Sequence, residues 1–384
     1  MKTTQIYEIM NDVTQEVLDG VSVQEDLSNI VEIGDAVFNA NAYENYVKAL
    51  VNRIGKTIFV ARAYMGGAPS VLIDSFEYGS ILMKVECEIP EANESETWNL
   101  EDGVSVDPNI FKSPRVSTKF YNNQVTFEIQ MSFVEKQIKQ SFTSINELNS
   151  FISMIYNAID KSMTIKVDKL ISMTIANFMG ETLYNEYPNA DYDTKSGVRA
   201  VNLLYLYNQI ATTPITKAQA LHDTEFLKFA CKTIGLYVGY LTKISTLFNM
   251  GGKAKFTPQD LMHIVMLDEF AKASEVYLQS DTFHNELVKL PKYETLPYWQ
   301  SSGATYDFDD TSRINIKTAQ GHTIDASGII SCIWDRDSLG VTNYDRRATS
   351  QYNARGEFVN MFFKMDARYW NDFNEQFVLF FIQD

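Results

Sequence analysis

The feature that most constrains this chain is its longest periodic segment. Apolar residues recur at steps of mostly three and four from Ile145 through Leu148, Ile152, Ile155, Ile159, Met163, Val167 and Leu170 to Phe178. That spacing places them on one stripe of an α-helix. Ser144-Ile145-Asn146-Glu147 opens the segment as a capping box, in which a serine hydroxyl and a glutamate carboxylate reciprocally satisfy free backbone donors. Gly180 offers a stop. At 1.5 Å per residue this helix is about 50 Å long, well beyond the usual globular helix. A rod of that length must span a whole molecule, and the remaining segments have to be arranged around it.

Before the rod the pattern is mixed. Residues 1–40 are acidic, with Ile6, Ile9, Met10, Val13 and Val17 at helical spacing. They carry too little apolar surface for a core of their own, so the segment is expected to dock on something else. A second helical stretch carries Tyr43, Tyr46, Val47, Leu50, Val51 and Ile54 on one face, and the Gly66-Gly67-Ala68-Pro69 break follows it. From about Phe76 the period changes to two: Val85, Cys87 and Ile89 alternate with Lys84, Glu86 and Glu88, which predicts a strand with one wet face. A second strand-like run covers Arg115 to Phe120. After an expected turn at Asn122-Asn123, Val125, Phe127, Ile129 and Met131 alternate again. Between the first two runs, from Glu86 to Asp107, every charge is acidic.

After the rod comes a mixed α/β or α+β body. Helices are predicted from about Arg199 and from Asp223 to Leu247, where Leu227, Ala230, Ile234, Val238 and Leu241 form the stripe. Thr257-Pro258-Gln259-Asp260 has the form of a helix start with a capping threonine. His263 to Leu267 is continuously apolar, as in a buried strand, with a helix over Glu269 to Leu278. The chain closes on Gly328 to Trp334, the polar turn Asp335 to Gly340, and two aromatic strands over Phe358–Met365 and Phe377–Ile382.

Composition narrows the function. A formal charge of -16 argues against a free-standing reader of nucleic acid, which needs a basic footprint. It does not forbid enclosing DNA, since a container gains nothing by adhering to its contents everywhere. Cys87, Cys231 and Cys332 form no CxxC pair and are expected as free thiols. No apolar run approaches a membrane span. His222, His263, His284 and His322 stand in no HExxH or other close ligand spacing. Asp335-Arg336-Asp337 could be a metal pair but suits a turn better, since aspartate favours bends through local hydrogen bonds. Asp307-Phe308-Asp309-Asp310 lacks the glycine and final glutamate of a calcium loop and reads as solvated charge. Phosphate-cradle and serine-elbow motifs are absent from the sequence.

Acidic arm, β excursion, rod, mixed body and closing strands follow one another in a fixed order. With Phe76 to Met131, Ser144 to Met179, His263 to Leu278 and Ile329 to Gly340 as its parts, that order resembles the Hong Kong 97-type fold of tailed-bacteriophage major capsid proteins, an α+β fold. The resemblance implies an N-terminal arm (1–40), a helix and first P-domain segment (41–75), an E-loop (76–118), a P-domain strand and spine helix (119–184), an A-domain (185–324) and closing P-domain strands (325–384). It implies hexamers and pentamers of a non-enzymatic icosahedral shell around double-stranded DNA, assembled in the host cytoplasm without membrane or cofactor. Scaffolding, portal and decoration proteins are the implied partners. The E-loop tip is expected to meet basic residues of a neighbouring subunit through Glu86, Glu88, Glu91, Glu94, Glu96, Trp98, Glu101, Asp102 and Asp107. Two alternatives stay open: an encapsulin-type compartment holding an enzyme cargo, and a soluble enzyme with a metal site at Asp307 to Asp310.

Overall fold

The computed structural model describes residues 3–18, 22–26, 28–39, 46, 71–73, 82–87, 102, 113–134, 145–281, 293–300 and 306–384. The chain opens with helices α1 (Thr3–Val17) and α2 (Ile30–Asn39). Met10, Val13, Leu18, Ile33 and Val37 are buried and belong to the main core. The acidic arm therefore docks, as its small apolar content requires. Tyr46, from the second predicted helix, lies fully buried against it and donates to Met10 Sδ at 3.5 Å. The other residues named for that helix and the Gly66 to Pro69 break lie outside the described residues.

Strands β1 (Leu72–Ile73), β2 (Leu82–Cys87), β3 (Val116–Tyr121) and β4 (Gln124–Val134) follow. β2 and β3 form a two-stranded antiparallel ribbon. The turn expected at Asn122-Asn123 does not make a hairpin of β3 and β4. The chain passes there from the ribbon into another sheet, in which β4 pairs with a C-terminal strand.

The rod is α3 (Ile145–Glu186), 42 residues and so about 63 Å long. Ser144 lies outside the described residues. Ile155, Ile159, Met163, Val167 and Leu170 are buried as the periodicity requires. Gly180 does not stop the helix. A Cβ at Gly180 would lie 3.0 Å from Ile316 and 3.1 Å from Thr318, so the missing side chain lets another segment press against the rod.

The body contains β5 (Ala200–Asn202), α4 (Leu203–Ile210), α5 (Thr224–Leu241), β6 (Met262–Leu267), α6 (Asp268–Asp281), β7 (Glu294–Leu296), β8 (Ile314–Lys317) and β9 (Thr323–Ala326). Residues 200–202, read as helix from the sequence, are a strand because β13 (Phe377–Phe381) pairs with them in parallel. Asn202 then caps α4, accepting from the backbone N–H of Leu204 and Tyr205. α5 starts on its Asp223 cap and ends at Leu241, short of the expected Leu247. Thr257 caps no helix. Its buried hydroxyl lies 2.7 Å from both Asp335 Oδ2 and Gln376 Oε1, and only a 3-10 turn, Gln259–Leu261, follows.

The C-terminal strands β10 (Ile329–Asp335), β11 (Leu339–Asn353), β12 (Phe358–Asn371) and β13 complete two sheets. One has the order β1-β11-β12-β4 and the other β5-β13-β10-β6-β7. α3 packs on β11, β12 and β8. Phe178 of α3 stacks on Phe377 of β13 at 4.2 Å, tying the rod to the second sheet as well. No helix of the described residues is long and apolar enough to cross a membrane. The architecture is α+β, with its parts in the order expected from the sequence.

Candidate assembly surface

The β2–β3 ribbon has two unlike faces, and the amphipathic alternation is turned the opposite way from that of a monomeric protein. In a strand successive side chains point to opposite sides. Lys84, Glu86, Ser117, Lys119 and Tyr121 are partly buried, whereas Val85, Cys87, Val116, Thr118 and Phe120 are exposed. Register pairs Val85 with Thr118 and Cys87 with Val116, so the exposed residues form one continuous surface. Val85 is 57 % exposed, Val116 58 % and Phe120 62 %. The charged side faces the chain's own body and the apolar side faces out.

Asp372, on the link between β12 and β13, holds the charged side in place. Its fully buried carboxylate accepts from Lys84 Nζ at 3.1 Å, from Tyr121 Oη at 2.7 Å and from Lys119 Nζ. The Asn374 N–H adds a bond at 3.1 Å. Glu375 pairs with Lys84 and, at 3.0 Å, with Lys255. Burial alone would raise the Asp372 carboxyl, but Lys119, Lys84 and Tyr121 outweigh it and hold the group down at about 2. Burial opposes the charge of Lys84, yet Glu375 and Asp372 prevail and raise its pKa. A cavity of about 660 Å³ opens beside this cluster, between the ribbon, Gly252 to Pro258 and the Asp335–Asp337 turn.

The predicted contact residues separate into three groups. Glu86 does not face outward; it pairs with Lys255 of its own chain and lies 3.9 Å from Lys253. Asp102 is exposed in a turn. Glu88, Glu91, Glu94, Glu96, Trp98, Glu101 and Asp107 lie outside the described residues. Lys84, Lys119, Asp372 and Glu375 were missed, because they meet across 253 residues or more and no local spacing announces such a meeting. The one usable signal was Lys84, a lysine inside an alternating run.

The residues set aside as chemistry have structural partners. Asp335 accepts from Thr257 and from the Asp337 N–H at 2.9 Å within its turn, and burial raises its carboxyl. Asp307 caps a helical turn, Phe308–Thr311, and Asp309 pairs with Lys217; Asp307 and Asp309 are exposed, so the charge is solvated as expected, on a helical turn instead of a loop. His263 lies 6.3 Å from the Trp334 ring, and its burial lowers its pKa. Among the described residues, no group of three or more histidine, cysteine or acidic side chains is placed to hold a metal.

A rod, two sheets and a ribbon that offers its apolar side outward make a structural subunit suited to packing against further copies. A model of the Phi29-like phage major capsid protein family matches residues 6–381, and the chain belongs to that family. It is a phage major capsid protein, a structural component of the virion that self-assembles into the shell. Comparison with curated proteins finds no match. Among solved structures, the chain is similar to one from the capsid of Staphylococcus phage Andhra at 9 % identity and a TM-score of 0.49, covering 84 % of this chain and 86 % of that one. It is similar to one from the capsid of cyanophage P-SCSP1u at 9 % and 0.46, covering 82 % and 87 %. A third similar chain comes from the mature capsid of bacteriophage PhiM1, at 9 % and 0.45, covering 84 % and 89 %.

Proposed function

We propose that the outward apolar face of the β2–β3 ribbon is a principal contact between subunits, and that these contacts close hexamers and pentamers into an icosahedral shell around double-stranded DNA. The observation that carries this reading is the orientation of the ribbon. A two-stranded ribbon is marginal in water by itself, and among the described residues its support from its own chain is mainly ionic, joined by the Tyr121 hydroxyl bond and a Tyr121–Trp370 ring contact. Removing an apolar surface of this kind from water releases about 25 cal/mol per Å². A neighbouring copy repeated around an axis supplies the cover.

In this reading the E-loop (76–118) reaches a neighbour. The P-domain combines 119–184 with 325–384, and the A-domain (185–324) has its sheet completed by β10 and β13. The arm (1–40) leads into a helix and first P-domain segment (41–75). The subunit performs no catalytic step. It assembles in the host cytoplasm with scaffolding and portal proteins and receives decoration proteins on the finished shell.

Replacing both Val85 and Phe120 with aspartate tests this. The double variant should remain folded by circular dichroism and unfold cooperatively, because neither side chain is in the core. Its shells should be absent from negative-stain images at concentrations where the parent assembles, with the assembly threshold raised more than 100-fold. Shells at the parental threshold would refute the assignment.

A further inference from the structure

Strand β8 has an outer edge that no other strand covers. Among the described residues it pairs only with β9, antiparallel, with Ile316 opposite Ile324 and Lys317 opposite Thr323. In such a pair, successive residues turn their N–H and C=O groups alternately toward the partner strand and away from it. Just beyond β8 the Thr318 N–H donates to the His322 carbonyl at 2.8 Å, on the β9 side. Asn315, Lys317 and Ala319 therefore present their backbone groups on the outer edge. Two carboxamides stand there in place of a third strand. Gln300 accepts from the Asn315 N–H through Oε1 at 2.7 Å and donates from Nε2 to the Asn315 carbonyl at 2.9 Å. Asn177 of α3 accepts from the Ala319 N–H at 2.8 Å. Between them, the Lys317 N–H and C=O have no partner among the described residues.

A groove follows this edge. Its cavity, about 500 Å³, lies between the outer side of β8 on one hand and α3 and the end of β12 on the other, a size within the range of ordinary ligand sites. The lining brings together the carboxamides of Asn123, Asn177, Gln300, Asn315, Gln320 and Asn371. It holds no carboxylate, although the chain has 49 acidic residues, and Lys317 is its one charge. A cationic ligand finds nothing to pair with there, and a single lysine is too little for a run of phosphates. Met173, Tyr369 and Phe373 add partly exposed apolar surface. Neutral donors and acceptors beside an uncovered strand edge match an extended peptide, whose backbone bonds give affinity while alternate side chains enter the groove. Native edges are commonly blunted by charge, and Lys317 supplies one such charge. The Gln300 carboxamide, exposed and neutral, blocks the next position only until an incoming backbone offers the same two bonds.

We propose that the outer edge of β8 is a strand-addition site, which takes an extended, uncharged segment of a different protein into the groove as a third strand beside β8 and β9. The segment displaces Gln300 from Asn315 and satisfies the Lys317 N–H and C=O. Because β8 has four residues, the paired part of the segment is equally short. A second copy of this chain is a poor donor. All of its described strands are already paired within it, and its run from Glu86 to Asp107 carries acidic charges only, which one lysine does not balance. The site goes beyond the assembly reading, since it uses no residue of the β2–β3 ribbon, and its failure leaves that reading untouched.

The test uses the full chain, as free subunits and as shells assembled from it alone, with a capped, fluorescent six-residue peptide of alternating threonine and valine. Anisotropy should show saturable binding of the peptide to both forms. The Lys317 amide should exchange its hydrogen rapidly in both without peptide, and about tenfold more slowly with it. Lys317→Pro removes the outward N–H that the fold itself does not use, and proline is tolerated on strand edges. Its circular dichroism should match the parent while peptide affinity falls about tenfold. Lys317→Gln keeps the N–H without the charge and should bind as the parent does. Equal loss in the two variants would assign binding to the lysine charge and overturn the strand pairing. Unchanged affinity in Lys317→Pro would do the same. Absence of binding to the parent, or binding that leaves the Lys317 amide unprotected, would overturn the site without recourse to any variant. Slow exchange of that amide in shells without peptide, but not in free subunits, would make a second copy the occupant and overturn the assignment to a different protein.

Discussion

Replacing Asp372 with alanine is expected to cost the unassembled subunit about 3 kcal/mol at neutral pH, read as a fall in the urea midpoint without a change in slope. The carboxylate has no exposed side-chain surface, while Lys84 and Lys119 retain 21 % and 33 % of theirs. Removing the acid leaves Lys119 with no described partner, makes Lys84 depend on Glu375 alone and deprives the Tyr121 hydroxyl of its acceptor. One half of a buried pair lost typically costs 3–5 kcal/mol, and the partial exposure of both lysines places the effect at the low end. Assembly should suffer more than stability, because the ribbon it anchors carries the proposed contact face. Changing Asp372, Lys84 and Lys119 together to leucine and methionines should restore the urea midpoint, since apolar replacements of buried ion pairs are often neutral or better. If that triple variant also restores normal shells, the cluster supplies no positional information.

The same cluster sets a pH dependence with a definite sign. A carboxyl held at about 2 in the fold and near 3.8 when unfolded stabilises fully above pH 3.8. That contribution, about 2 kcal/mol, is lost as pH falls from about 3.8 toward 2. Lys84 behaves in the opposite sense. With its folded pKa raised above 10.5, its share is complete below that pH and is lost as the solution becomes more alkaline. Asp335, raised by burial, binds its proton more readily folded than unfolded and partly offsets Asp372 on the acid side. The alanine variant at Asp372 should flatten the acid limb of the stability profile. An unchanged limb would mean that other carboxylates govern acid unfolding.

What could be read from the sequence follows from how local each cause is. The rod was legible because a stripe repeated over about nine turns needs no partner to be recognised. Its continuation past Gly180 was not, because the reason lies in Ile316 and Thr318, more than a hundred residues away. Strand β11 went unread altogether. Its run of Asn343, Asp345, Arg346, Arg347, Thr349, Ser350 and Gln351 shows no apolar alternation, and it is a strand because β12 pairs with it along its length and Arg347 bonds to Asp366 at 2.7 Å. The ribbon was only half legible. Period two fixed the alternation of Lys84, Val85 and Glu86, but which side turns inward depends on Asp372 and Glu375. Taken alone, the sequence favours charged side out, and the outward contact was therefore assigned to Glu86 when the exposed residues are Val85 and Phe120.

At the opposite end of the fold, changing Gly328 to alanine is expected to cost roughly 3 kcal/mol or more, enough to deplete folded subunits at 37 °C. Gly328 has φ +82°, a conformation that costs other residues about 1–2 kcal/mol. Added to this is contact with backbone, since a Cβ would stand 2.0 Å from the Ile382 carbonyl oxygen. The carbonyl cannot easily withdraw. Ile382 donates its N–H to the Gly328 carbonyl at 2.8 Å, and the Gly328 N–H is held by Ser312 Oγ at 2.8 Å. The clash thus falls where β10 and β13, both buried along their whole length, begin to pair. Relief must come from separating these strands or from breaking the Ser312 bond, and either exposes core. Gly252, with φ +61° and open space around its Cβ position, is the matched control. Alanine there should cost only the conformational part, about 1–2 kcal/mol. Equal urea midpoints for the two variants would show that the Ile382 carbonyl yields, and that the closing strand is less firmly seated than its burial implies.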